Sequence, residues 1–153
     1  MLKNNTIKFT ILFIVLVLLQ VTILNRVSFL GYAIPFLYIY FIIKLPIGMN
    51  RSIVTLLGFA IGFIIDIFCN TPGINAAATT FAAFVRRPVQ KLFFAIDDYN
   101  EQLPRLSLLG STFIKYAITI CFIHIVVLIS IESFSYLNIS IITYRIVLST
   151  VIT

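Results

Sequence analysis

The sequence predicts an all-α integral membrane protein of about six transmembrane helices. Three observations carry that prediction: 61% of the 153 residues are hydrophobic, only 10% are charged, and the mean hydropathy is +1.12. A soluble globular domain has about a quarter charged residues and roughly half apolar ones. Charges this sparse cannot clothe a water-soluble fold, and the apolar residues run in long stretches, not in one-faced stripes. A soluble enzyme, a disordered tail, a collagen-like chain and a disulfide-stapled secreted domain are excluded. A spanning helix takes about 20 apolar residues, so this length holds six closely packed spans in a single domain.

Span one is expected at 7–24, after Lys3 and Lys8, and ends at the polar turn Asn25-Arg26. The start is signal-like, but no A-x-A cleavage site follows, so the span is read as uncleaved. Span two, 29–45, contains Pro35 and stops at Pro46-Ile47-Gly48. Span three, 52–69, is closed by Asn70-Thr71-Pro72-Gly73, where Thr71, Pro72 and Gly73 set a turn. Span four, 74–94, is the least apolar, with an alanine- and threonine-rich stretch to Val85 followed by Pro88. The one long polar segment, 97–105, carries Asp97, Asp98, Glu101 and Arg105. Span five is expected at 112–131 and span six at 138–153. A helix over 138–153 is about 24 Å long against a hydrocarbon core of about 30 Å, so span six is expected to continue past Thr153.

The eleven Lys and Arg are spread singly and give a net charge of +6. That distribution suits loops facing an anionic inner leaflet and argues against nucleic acid. With the N-terminus inside, nine of these cations fall on the cytoplasmic side, among them Arg86 and Arg87. Only Arg26 falls outside, and Arg145 lies within span six. An N-in, C-in topology follows.

No catalytic constellation is present: the chain lacks G-x-S-x-G, H-E-x-x-H, a P-loop and a glycine-rich fingerprint. Cys69 and Cys121 sit in apolar runs without metal or redox spacing. No metal site, cofactor site or catalytic residue is expected. Three ionisable residues inside spans are costly in lipid: Asp66, His124 and Arg145, at depths that agree to about 5 Å. They form either a polar pocket opening outward or a structural Asp66–Arg145 pair with His124 as an interhelical hydrogen-bonder. The structural pair is preferred, because a transport path presents more polar positions.

Gly58, Gly62 and Asp66 stand at i, i+4 and i+8 on one face of span three. Such a stripe lets another helix approach closely. In span four Ala76, Thr79, Thr80 and Ala83 offer a second small face, and the tight turn between the spans predicts an antiparallel hairpin. Both faces serve either intramolecular packing or a partner.

The same stretch carries a family resemblance. Gly58-Phe59-x-x-Gly62-x-x-x-Asp66, Asn70-Thr71-Pro72-Gly73, Ala76-Ala77-Ala78-Thr79 and Arg87-Pro88 resemble the MreD family of rod shape-determining proteins, in the short form of Bacteroidetes-type bacteria. The likeness extends to the opening span and the six-span layout, and its most specific part is Asp66 to Pro88. Asn75 stands where the resemblance would place a histidine, so no role is assigned to that side chain. The resemblance implies a non-enzymatic scaffold of the elongation machinery in the bacterial inner membrane. Its implied partners are the bitopic protein MreC and, through it, the actin-like MreB, the glycan polymerase RodA and the elongation transpeptidase. The family fold is similar to the membrane substrate-binding subunits of energy-coupling-factor transporters. That similarity supplies an alternative function, a vitamin-like small-molecule-binding subunit of a transporter.

Overall fold

Apolar side chains offer the backbone no hydrogen bonds, so its N–H and C=O groups pair with one another, and long apolar runs become helices. The computed structural model describes residues 2–24, 35–94, 103–104, 109–133 and 139–153. Among them every regular element is helical: α1 (Leu2–Thr22), α2 (Ile39–Lys44), α3 (Arg51–Cys69), α4 (Ile74–Phe93), α5 (Ser111–Glu132) and α6 (Ile139–Ile152). Two of these, α3 and α5, are long and apolar enough to cross a membrane. Shorter apolar stretches occupy Thr6–Thr22 of α1 and Ile142–Ile152 of α6.

The second span differs from its expected extent. Residues 29–34 lie outside the described residues, and the helix proper is only Ile39–Lys44. Pro35 has no N–H to give, and residues 37–38 form a turn. Leu45 then leaves the helical region at φ −58° and ψ 151°, the extended geometry that a following proline imposes. The side chain of Gln20 on α1 substitutes for the missing helix contacts. Its Nε2 donates to the Pro35 carbonyl and its Oε1 accepts the Leu37 N–H, both at 3.0 Å.

Helix α4 runs through Pro88 and ends at Phe93, close to the expected 94. Pro88 cannot donate to the carbonyl of Phe84, which a normal residue would satisfy. Arg51 Nε donates to that carbonyl instead, at 3.1 Å, with its guanidinium 3.4 Å from the centre of the Phe84 ring. An arginine at the start of α3 thus fills the gap that a proline leaves in α4.

Helix α4 is the hub of the bundle, packed between α3 and α5, while α6 lies on α5 and α1 on α3. Its buried face includes Asn75, Thr79, Ala82, Ala83, Arg86 and Gln90. On that face of α4 polar side chains point inward, and large apolar ones lie on the outside of the bundle as well as in its core: Leu18, Phe63, Phe84, Phe122 and Val147 are all exposed, on five different helices. So much exposed apolar surface is unusual for a soluble protein and fits apolar surroundings.

Candidate functional site

The α3–α4 turn is built around one carboxylate. Helix α3 closes on Asn70, which takes the left-handed conformation at φ 54° and ψ 40° and donates its N–H to the Asp66 carbonyl. Gly73, at φ 78°, opens α4 but has no side chain to cap it. A helix leaves its first N–H groups without partners. Here the Asp66 side chain supplies them from the preceding helix. Oδ1 accepts the Asn75 N–H at 3.0 Å and Oδ2 accepts the Ala76 N–H at 2.8 Å. Oδ1 also accepts the Thr71 hydroxyl at 2.5 Å and Asn75 Nδ2 at 2.9 Å. Negative charge at a helix N-terminus is favourable, so a buried carboxylate stands here with no cation beside it among the described residues.

Close packing brings the two helices into register. A Cβ built on Gly62 would lie 2.6 Å from the Ala76 Cα and the Asn75 carbonyl oxygen. One on Gly58 would lie 2.7 Å from Ala83 Cβ and 3.0 Å from the Thr79 carbonyl oxygen. Gly58 and Gly62 are therefore spent on contact with Ala76, Thr79 and Ala83 of the same chain. Thr80 turns away from that contact, bonds back to the Ala76 carbonyl at 2.6 Å and lines an outer groove.

From Asp66 a buried chain of hydrogen bonds crosses to α5. Asn75 gives its Nδ2 protons to Asp66 and to the Thr71 oxygen, at 2.9 and 3.1 Å, so Oδ1 is left to accept. The Tyr38 hydroxyl donates to that Oδ1 at 2.8 Å. Its proton being used there, its oxygen accepts from His124 Nε2 at 3.0 Å. The imidazole consequently carries its proton on Nε2. His124 is fully buried, and its Nδ1 has no hydrogen-bond partner among the described residues.

A second charge is buried lower in the bundle. Arg86 is 2% exposed and has no carboxylate partner among the described residues. Its Nη2 donates to the carbonyls of Leu45 and, at 3.2 Å, Pro46, while Nε donates to the Tyr116 hydroxyl at 3.0 Å. The carbonyls at a helix C-terminus are unpaired and partly negative, so Arg86 caps α2 as Asp66 caps α4. The two buried charges among the described residues thus answer helix ends and not each other.

Several sequence expectations are corrected by this geometry. Asp66 and Arg145 form no ion pair: Arg145 Nη2 meets Glu132 Oε2 at 2.9 Å, at the end of α5. The physical reason is twofold. Asp66 is already filled by the first turn of α4, and a long arginine reaches outward to a half-exposed carboxylate more cheaply than it dehydrates at depth. His124 joins Asp66 only through Tyr38 and Asn75, whose side chain, given no role above, is the middle link. Arg86, read as an inner-leaflet charge, is buried in the bundle, whereas neighbouring Arg87 is exposed. Tyr38, Gln20 and Tyr116 were not singled out; the spacing of Asn75, Thr79, Arg86 and Gln90 along one face of α4 was the available signal. The acidic segment at Asp97, Asp98 and Glu101 and the cation Arg26 lie outside the described residues.

Among the described residues no three His, Cys, Asp or Glu side chains converge in a way that could hold a metal. The arrangement fastens helices; among the described residues two buried polar atoms in it have no hydrogen-bond partner, His124 Nδ1 and Gln90 Nε2. No protein-family model matches the chain, and comparison with curated proteins and with solved structures gives no match either.

Proposed function

We propose that the chain is a six-span inner-membrane protein, N-in and C-in, and a non-enzymatic scaffold of the MreD type. In this reading it binds MreC and, through it, supports MreB, RodA and the elongation transpeptidase in lateral peptidoglycan synthesis and rod shape. The observation that carries the reading is the role of Asp66. It opens the Asp66 to Pro88 block, the most specific part of the resemblance to MreD, and both its oxygens are committed to the start of α4. A motif that builds a rigid hairpin suits a protein whose work is to present helix faces. The buried Arg86 is likewise committed to a helix end, which leaves it unavailable to a substrate.

The alternative, a vitamin-like-binding transporter subunit, has one observation in its favour: His124 Nδ1 is buried and unsatisfied among the described residues. A bound donor would complete it. Depletion in the native host separates the two readings. The scaffold reading expects rods to round up while vitamin uptake is unchanged; lost uptake in cells that stay rod-shaped would favour the transporter.

A further inference from the structure

Helices α3 and α4 leave an open apolar groove on the face away from the bundle, with a volume of about 620 Å³. Phe59, Phe63, Phe81 and Phe84 wall it, and Ala76 and Thr80 lie on its floor. The rings of Phe59 and Phe63 are stacked, with centroids 5.5 Å apart. A second hollow shares Thr55, Phe59, Thr80 and Phe84 and ends at Arg51 and Ser52. The two make one groove, apolar along its length and cationic at one end.

The charge at that end is one-sided. On α4 the groove face through Thr80 and Phe84 continues at helical spacing to Arg87 and Lys91, both exposed. No described carboxylate pairs with Arg51, Arg87 or Lys91. Arg51 uses Nε on the Phe84 carbonyl and lays its guanidinium on the Phe84 ring, which fixes its terminal nitrogens at the groove mouth.

Charge selects the occupant. The groove runs from Gly73, at the α3–α4 turn, to Arg51, at the opposite end of α3, so its half nearer Arg51 has the depth of one leaflet, about 15 Å. Three cations gather at that end with no described carboxylate beside them. A lipid with an acyl chain along the phenylalanine wall and its phosphate beside Arg51 supplies the missing negative charge.

We infer that this groove binds an anionic phospholipid of the leaflet on the Arg51 side. The inference rests on residence in a bilayer, part of the reading above, and is independent of any role in wall synthesis. The chain has no tryptophan, so Phe81→Trp in the groove and Phe122→Trp on α5 give single reporters at two exposed sites. Each variant is reconstituted in phosphatidylcholine vesicles containing a minority of phosphatidylglycerol, with bromine on the chains of one lipid or the other. A basic residue near the surface favours anionic lipid by about fivefold. Bromine on phosphatidylglycerol should therefore quench position 81 as though that lipid were enriched about fivefold, and position 122 at its bulk proportion. High salt, Arg51→Gln, or the exposed pair Arg87→Gln and Lys91→Gln should each lower the enrichment. Equal quenching at the two positions would overturn the inference. So would a position 81 shielded from both lipids, which would assign the groove to a protein helix or a second copy. Failure of the chain to insert into vesicles at all would instead refute the membrane reading, and the scaffold with it.

Discussion

The Asp66 carboxylate accepts the backbone N–H of Ala76 at 2.8 Å, so the third described helix caps the fourth across the turn between them. Arg86 does the converse work at the C-terminal end of α2, on the carbonyls of Leu45 and Pro46. One negative and one positive side chain thereby fix the relative positions of α2, α3 and α4. Neither requires a counter-ion, because helix ends supply the opposite partial charge.

Removing the Asp66 cap should be severe. An N-cap is worth about 0.5–2 kcal/mol, and each buried donor left without a partner costs about 1–3 kcal/mol more. Asp66→Ala is expected to destabilise the detergent-solubilised protein by about 2–5 kcal/mol, and Asp66→Asn by less, because an amide keeps one acceptor oxygen. A thermal melt with Asp66→Ala indistinguishable from the parent would remove the cap from the account.

Helix contact at the glycines gives a compensation test. Gly62→Ala drives a methyl group into the backbone of α4 and should cost about 1–3 kcal/mol or more. Gly58→Ala meets a side-chain atom, Ala83 Cβ at 2.7 Å, together with the Thr79 carbonyl at 3.0 Å. Adding Ala83→Gly should therefore recover part of the Gly58→Ala loss and none of the Gly62→Ala loss. Equal rescue of both would show that the register of α3 on α4 is different.

Arg145, paired with a carboxylate, and Arg86, paired with carbonyls, should behave differently. Arg145 and Glu132 are 24% and 42% exposed, and an ion pair of that kind is worth about 0.2–1 kcal/mol. Glu132→Gln should move the melting temperature little. Arg86→Leu takes the Arg86 donor from the Leu45 carbonyl and the Tyr116 hydroxyl, at about 1–3 kcal/mol for each group, while the Pro46 carbonyl keeps the Met49 N–H at 3.4 Å. Arg86→Lys should recover only part, since an ammonium cannot span Tyr116 and both carbonyls. A larger effect at Glu132 than at Arg86 would contradict the assignment of the buried charge.

How much of this was legible in the sequence depends on the kind of contact. Helix bounds were: 52–69 became Arg51–Cys69, 112–131 became Ser111–Glu132, and 74–94 became Ile74–Phe93. Apolar runs and Pro-Gly punctuation determine these locally. The partner of Asp66 was not legible. Its donors at Asn75 and Ala76 include backbone N–H groups, which every non-proline residue has and no sequence pattern marks. A match of depths suggested Arg145, but depth fixes only one coordinate of three. Arg86 and Arg87 are neighbours with opposite fates, decided by the register of α4. In an apolar chain the polar stripe through Asn75, Thr79, Arg86 and Gln90 marks the interior, the inverse of the rule for soluble helices.

Topology is open to reporter fusions. Those at Asn4, Gly48 and Asn100 should be cytoplasmic, and those at Val27, Gly73 and Phe134 periplasmic, as the distribution of Lys and Arg requires. A periplasmic signal at Asn100 would reverse the orientation and change the number of spans.

Affinity purification of the intact protein from native membranes, with its partners identified by mass spectrometry, bears most directly on the proposed scaffold. The account predicts recovery of MreC and RodA with the wild-type chain, and their loss together with the folded protein in Asp66→Ala. Recovery of an ATPase module, with MreC and RodA absent, would contradict the scaffold and point to a transporter subunit.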